Sequence, residues 1–175
     1  MTDLPTSPAA ASQPVVIYTD GACKGNPGRG GYAAILVQGE HAKELSGGFL
    51  KTTNNRMEMM AAIAGLRALK KRCKVALYSD SQYLVNAMSK GWTKKWQANG
   101  WLTSAKEPVK NIDLWKDLIE LCAVHHVSFL WVRGHAGHEY NERCDELAVA
   151  ASKKPQLPAD DKFEMTEKSS ELSLF

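Results

Sequence analysis

The sequence lacks the features that mark membrane-spanning or secreted proteins. No apolar run in its 175 residues approaches the ~20 residues that a helix needs to cross a bilayer. Residues 1–14 are rich in Ser, Thr, Pro and Ala, and they show neither the basic start nor the apolar stretch of a signal peptide. We therefore expect a cytoplasmic protein without membrane association, in which residues 1–14 form a flexible N-terminal tail.

Two common kinds of binding motif are also missing. The four cysteines include no CxxC pair, so free reduced thiols are expected in a cytoplasmic protein. The spacing of the histidines and cysteines matches no compact zinc module. The glycine-containing loop at residues 25–28 lacks the closing Gly-Lys-Ser/Thr of a P-loop, so no nucleoside triphosphate site is predicted.

What is present is the composition of one globular domain with a basic body. Hydrophobic residues make up 44% and charged residues 23%, and the length suffices for one substantial core. The net charge of +3 hides an asymmetry, because five acids and two bases lie beyond Pro158; the remainder has 20 bases and 14 acids, a net charge of +6. Such a body suits a polyanionic partner, although many basic domains bind none. Residues 153–175 show no periodicity, which predicts a flexible acidic C-terminal tail.

The hydrophobic pattern predicts an α/β domain over residues 15–152. Three strands joined by short turns, at about 15–19, 32–38 and 43–50, suggest an antiparallel meander. A helix to about residue 69, a strand at 75–78, helices beginning at Ser81 and after Asn111, a strand at 127–132 and a helix at 141–152 follow. The order β-β-β-α-β-α-α-β-α implies a mixed sheet flanked by helices.

Four acidic residues lie near the ends of these predicted elements. Asp20 and Asp80 follow strands, Glu58 lies on the small-residue side of the first helix, and Asp145 lies early in the last helix. Strand ends of α/β sheets gather functional sites, and carboxylate oxygens are ligands that Mg²⁺ prefers. Taken singly, each acid fits equally well as a turn residue, a cap or a first-turn acid opposite the helix dipole.

Four motifs surround these acids in a fixed order. They read YTDGACKGNPGRGGY (18–32), TTNNRME (52–58), SDSQY (79–83), and WVRGHAGH followed by NERCDELA (131–138 and 141–148). In order and spacing they resemble the motifs of the bacterial type 1 ribonucleases H. The resemblance implies a ribonuclease H-like fold of class α/β, with a five-stranded mixed sheet (three antiparallel strands, then two parallel) and flanking helices, and a catalytic domain at residues 15–152.

The resemblance also implies an activity. It is that of an endonuclease that hydrolyses the RNA strand of RNA–DNA hybrids by two-metal-ion catalysis, leaving 5′-phosphate and 3′-hydroxyl ends, and that removes RNA primers and transcription-derived hybrids. It assigns the four acids to two Mg²⁺ ions, bound together with substrate, with Mn²⁺ as a substitute. It gives His135 a role in proton transfer or product release, although a loop position equally fits an ordinary surface histidine. We expect a monomer, and a protein partner for the acidic tail is left open.

Residues 91–108 combine three tryptophans with lysines. Aromatic faces can pack on sugars or bases while lysines meet phosphates, but the tryptophans could instead form a small core beneath a solvated lysine face. By resemblance the segment is the basic protrusion that grips the DNA strand. Here Lys94 and Lys95 precede the second tryptophan, whereas several family members have a basic cluster after it, so we expect weaker or more salt-sensitive binding. The predicted contacts of this segment are Trp92, Lys94, Lys95, Trp96 and Trp101, with Lys110 just beyond it.

Amide side chains near the acids form a second predicted contact group. Amides both donate and accept hydrogen bonds, as reading 2′-hydroxyls and minor-groove edges requires. By resemblance the residues that contact the minor groove of the hybrid are Cys23, Asn26, Asn54, Asn55 and Gln82. Thr53 and Asn111 resemble the family's DNA-phosphate contacts, although Asn54, Asn55 and Asn111 could also be helix caps.

Two rival functions remain in view. The same fold carries related integrases and resolvases, but their acid patterns differ and they lack the tryptophan segment. A non-catalytic hybrid-binding module would be favoured by the loss of one acid, and none is lost here.

Overall fold

The computed structural model describes residues 13–134 and 137–174. A five-stranded mixed sheet forms its centre. The strands β1 (Val15–Gly25), β2 (Gly28–Gln38) and β3 (His41–Thr52) are antiparallel neighbours, and β4 (Lys74–Ser79) and β5 (His126–Trp131) continue the sheet in parallel on the other side of β1. The strand order β3-β2-β1-β4-β5 confirms the predicted mixed sheet.

Helices cover both faces of the sheet. They are α1 (Asn54–Arg67), α2 (Gln82–Ser89), α3 (Trp92–Ala98), α4 (Ile112–Val124), α5 (Glu139–Ser152) and α6 (Asp161–Leu172). On one face, α1 and α4 pack over Ile17 and Ala34 in the larger core; on the other, α5 packs over Ala33 and Ile35. Alternate residues of β2 therefore enter opposite cores, as the period of two in a strand requires. No helix of the described residues is long and apolar enough to cross a membrane.

Close packing of α1 on the sheet depends on glycine at two positions. A Cβ at Gly65 would lie 2.8 Å from Ile17 Cγ2, and a Cβ at Gly21 would lie 2.6 Å from the backbone nitrogen of Glu58. Real Cβ atoms do not approach other atoms so closely, so a larger residue at either position would force α1 away from β1. The predicted small-residue approach of this helix is confirmed, and Glu58 is only 3% exposed.

The structure adds two helices to the predicted order, α3 and α6. The expectation that residues 153–175 lack regular structure is wrong, because α6 occupies half of this segment. The segment is anchored to the domain: Leu50 N donates to Pro158 O, Lys51 pairs with Glu167, and Asp160 is buried. Hydropathy could not reveal this attachment, because a buried charged residue and ion pairs provide much of it. The predicted N-terminal tail lies mostly outside the described residues.

Candidate active site

Three of the predicted acids converge at one edge of the sheet. Because β1 and β4 run parallel and pair as far as Tyr18 opposite Tyr78, the residues two positions further on, Asp20 and Asp80, emerge side by side. Glu58 is brought to the same place from α1. One carboxylate oxygen from each of the three acids lies within 4.8 Å of those of the other two.

The fourth acid, Asp145, lines the same pocket from α5. The pocket has a volume of about 370 Å³. Its lining residues are Asp20, Gly21, Asn54, Asn55, Glu58, Asp80, Ser81, Gln82, Tyr83 and Asp145. The structure thus brings all four acids together with three of the amides that were predicted to contact the minor groove.

The electrostatics of the cluster favour a cation. Burial and then the charge of Asp80 raise the pKa of Asp20 to about 7, although the backbone N–H of Gly21 donates to Asp20 Oδ1 at 2.8 Å. Burial and then the charges of Asp20 and Asp80 raise the pKa of Glu58 well above its ordinary value. Among the described residues, no hydrogen-bond partner reaches the buried Oε2 of Glu58. An unpartnered carboxylate oxygen amid like charges, in an oxygen-only donor set, fits a hard divalent cation such as Mg²⁺.

The predicted contacts around the start of α1 are held in fixed positions. Asn26 Oδ1 accepts from Asn54 N at 3.2 Å, and Cys23 Sγ donates to the carbonyl oxygens of Gly28 and Thr52. The cap of α1 is Thr53, whose hydroxyl accepts from the backbone nitrogen of Arg56 at 3.2 Å. Neither Asn54 nor Asn55 is the cap, so their side chains are not needed for that purpose.

Asn111 occupies the N-cap position of α4, but its side chain does not cap the helix. The residue adopts a left-handed conformation with φ 63°, which aims the amide elsewhere. Asn111 Oδ1 accepts from Arg56 Nη1 at 3.4 Å, and its Nδ2 donates to the hydroxyl of Tyr83 at 3.2 Å. The alternative of a side-chain cap at Asn111 is therefore wrong.

Arg56 is the central residue that sequence reasoning missed. Its side chain is 5% exposed, and its guanidinium lies between two carboxylates, Asp113 of α4 and Asp160 just before α6. Arg56 lies inside the TTNNRME motif, two residues before Glu58. That position was the available signal, but no pattern in the sequence connects it to acids more than fifty residues away.

The tryptophan segment divides into a packed part and an exposed part. Trp96 packs on Trp115 with ring centroids 5.5 Å apart, and Lys116 lies over the ring of Trp101. Both Trp96 and Trp101 are partly buried against the larger core, so the packing alternative holds for these two tryptophans. Trp92 is 38% exposed, and the side chains of Lys94, Lys95 and Lys110 are exposed as well. His135 lies outside the described residues.

An α/β sheet of this order with acids at its strand ends defines the ribonuclease H-like class of folds, and comparison with known proteins agrees. The RNase H family profile matches residues 12–153. The chain is 62% identical to the ribonuclease H of Rippkaea orientalis over 150 residues (86% of this chain, 92% of the relative). It is 61% identical to that of Desulforamulus reducens over 146 residues (83% and 92%).

Solved structures show the same fold. LC9-RNase H1, a type 1 RNase H with the type 2 active-site motif, superposes with a TM-score of 0.72 at 30% identity, covering 86% of this chain and 74% of that one. LC11-RNase H1, crystallised with an RNA/DNA hybrid, gives 0.61 at 24% identity (78% and 95%), which shows the fold alone. The chain therefore belongs to the RNase H family, and within it to the bacterial type 1 ribonucleases H.

Proposed function

We propose that this nuclease hydrolyses the RNA strand of RNA–DNA hybrids, leaving 5′-phosphate and 3′-hydroxyl ends, and that it removes RNA primers and transcription-derived hybrids. The observation that carries the proposal is the convergence of Asp20, Glu58 and Asp80, with Asp145 in the same pocket. We further propose that the domain of residues 15–152 acts as a monomer in the cytoplasm.

The four acids would hold two Mg²⁺ ions when substrate is bound, and Mn²⁺ could replace them. Bound there, the ions would neutralise charge on the scissile phosphate and activate water for in-line attack. The protein itself supplies a rigid frame for the acids. Asp20 lies in β1, Glu58 in α1 and Asp145 in α5, and Asp80 directly follows β4. Cation binding also explains how Asp20 and Glu58 would be ionised at neutral pH, despite the raised pKa of each.

The amides of the pocket would supply specificity for RNA. Asn54, Asn55 and Gln82 line the pocket beside the acids, and amides can donate to and accept from a 2′-hydroxyl. Cys23, near the end of β1, and Asn26, in the β1–β2 turn, would complete the minor-groove contact. A DNA strand offers no 2′-hydroxyl, so it would bind this surface less well.

The DNA strand would lie across a separate surface. Thr53 and Asn111, each at the start of a helix, would contact its phosphates. The remaining contacts with the DNA strand would come from the tryptophan segment and from Lys110. The exposed side chains of Trp92, Lys94, Lys95 and Lys110 would contact the strand directly. Trp96 and Trp101 would support these exposed residues. His135 would transfer a proton or assist product release.

The decisive experiment offers the purified chain four labelled substrates with Mg²⁺: RNA–DNA hybrid, duplex RNA, duplex DNA and single-stranded RNA. Asp80→Asn serves as the matched variant, because it keeps the side-chain shape and removes one charge. We expect cleavage of the RNA strand of the hybrid alone, and its loss in the variant. Tight hybrid binding without cleavage in Mg²⁺ or Mn²⁺ would show instead a binding module.

A further inference from the structure

The Arg56 guanidinium uses all of its hydrogen-bond donors. Nε and Nη2 donate to the two oxygens of Asp160 at 2.7 and 2.9 Å, and Nη1 and Nη2 donate to the two oxygens of Asp113 at 2.9 and 2.7 Å. The remaining N–H, on Nη1, donates to Asn111 Oδ1 at 3.4 Å. Two carboxylate forks thus fix the plane of the guanidinium and thereby the direction of its fifth donor.

This geometry determines which way the Asn111 amide faces. A guanidinium carries five donors and no acceptor, so the atom of Asn111 that meets Arg56 must be the carbonyl oxygen. The amide nitrogen is then turned to the other side, where one of its two hydrogens is used by the hydroxyl of Tyr83 at 3.2 Å. Among the described residues the second hydrogen has no acceptor, so it remains for a ligand.

Asp160 couples this amide to the C-terminal segment. The residue is 6% exposed, lies just before α6, and also accepts from Thr52 Oγ1 at 2.7 Å. Thr52 precedes Thr53, the other proposed phosphate contact. Asp160 lies beyond residue 153, where the match to the family profile ends.

We propose that Asp160 is a positioning residue for the DNA strand: through Arg56 it orients the Asn111 amide so that an N–H faces a DNA phosphate. This inference rests on the proposed function, which places DNA at Asn111. The C-terminal segment, which contains Asp160, therefore contributes to substrate binding as well as to stability.

Charge alone predicts the opposite effect. One arginine between two aspartates carries a net charge of −1, which repels a phosphate rather than attracting it. Removing the charge of Asp160 should strengthen hybrid binding if only electrostatics matter, and should weaken it if Asp160 holds the amide in place. The sign of the change separates the two explanations.

The test uses the full chain and steady-state cleavage of a labelled hybrid in Mg²⁺. Asp160→Asn replaces one of the two carboxylate oxygens that accept from Arg56 with an NH₂ group, which cannot accept a hydrogen bond from the guanidinium. We expect KM to rise about tenfold, the weight of one hydrogen bond to a charged group, with kcat unchanged. In Asn111→Ala the same loss is expected, and the double variant should lose no more than Asn111→Ala alone, because both changes remove one interaction.

Two further variants separate positioning from a loosened fold. Glu167→Gln breaks the ion pair between α6 and Lys51 but leaves the Arg56 forks intact, so KM should stay at the parental value. Asp160→Glu keeps the charge while displacing the fork, so its KM should also rise; it serves where Asp160→Asn does not fold. The side-chain ¹⁵N–¹H signals of Asn111 should shift in both Asp160 variants and not in Glu167→Gln.

Two results would overturn the inference. If Asn111→Ala raises KM while a folded Asp160 variant does not, Asp160 has no positioning role although the DNA contact stands. If Asn111→Ala itself cleaves with the parental KM, Asn111 makes no DNA contact, and that part of the proposed function is lost together with the inference.

Discussion

Gly134 lies directly against the carboxylate of Asp80: a Cβ at Gly134 would lie 2.8 Å from Asp80 Oδ2. Gly134→Ala should therefore displace this oxygen from the acid cluster. We expect the rate of hybrid cleavage to fall on the order of ten- to hundredfold, since small misplacements of catalytic groups have effects of that size. Single-turnover rates over a range of Mg²⁺ concentrations provide the measurement, with thermal unfolding as the check on the fold. If Gly134→Ala cleaves at the parental rate at every Mg²⁺ concentration, the close contact between Gly134 and Asp80 does not matter for cleavage.

The raised pKa of Asp20 predicts an unusual pH dependence for the metal-free protein. Its pKa rises from an ordinary value of 3.8 to about 7 in the folded state, so between these values the folded protein binds more protons than the unfolded chain. The free energy of unfolding should thus fall as the pH rises from about 4 to about 7, by roughly 4 kcal/mol from Asp20 alone, and the raised pKa of Glu58 adds a loss in the same direction. Urea unfolding with and without Mg²⁺ measures this, and Mg²⁺ should restore stability at pH 8.

Glu58→Gln is the matched control for that experiment. It keeps the shape of the side chain and removes one of the mutually repelling charges, so the metal-free variant should be more stable than the parent at pH 8. Stabilisation by Mg²⁺ should be largely lost, because one of the ligands is gone. A variant less stable than the parent at pH 8 would indicate that the acids do not repel one another in the folded protein.

The two ends of α1 allow a buried ion pair to be compared with an exposed one. Arg56 and Arg67 both belong to α1, but Arg56 is buried between two carboxylates, whereas the side chain of Arg67 is 53% exposed beside Asp117. Arg56→Gln should lower the free energy of unfolding by about 3–5 kcal/mol, because it leaves Asp160 buried without its partner. Arg67→Gln should change it by less than about 1 kcal/mol. Equal effects in chemical unfolding would contradict the structural distinction.

Trp92 and Trp96 should differ in the same way. Trp92→Ala removes an exposed ring and should weaken hybrid binding with little change in melting temperature. Trp96→Ala removes a ring that packs on Trp115 and should lower stability by about 3 kcal/mol or more. Hybrid titrations and thermal unfolding of both variants test this. If Trp92→Ala binds hybrid as the parent does, Trp92 makes no substrate contact.

The sheet was predictable because strand periodicity is a local pattern, whereas the acid cluster was predictable only through the resemblance of the four motifs to a known family. Strand periodicity and motif order indicated the mixed sheet, and the small residues of α1 indicated that Glu58 turns inward. The role of Asn111 was harder to predict from the sequence, since an asparagine at the start of a helix can be either a cap or a phosphate contact. Its backbone conformation and the donor from Arg56 decided against the cap, and neither is visible in the sequence.

The C-terminal segment escaped prediction for a different reason. Disorder was inferred from the lack of periodicity in a stretch of Pro, Asp, Lys and Ser, an inference that treats charged residues as solvated. Asp160 breaks this rule because Arg56 and Thr52 meet it in the interior. One such pairing between residues about a hundred positions apart leaves no trace in the composition of either segment.

The burial of Arg56 also bears on how the chain folds during synthesis. All four proposed metal ligands have been synthesised once Asp145 has been added, but Asp160 follows fifteen residues later. Since a ribosome adds residues from the N-terminus onward, Arg56 can meet Asp113 well before it can meet Asp160. A nascent chain therefore already contains all four proposed metal-binding acids while one side of the Arg56 guanidinium is still open to water.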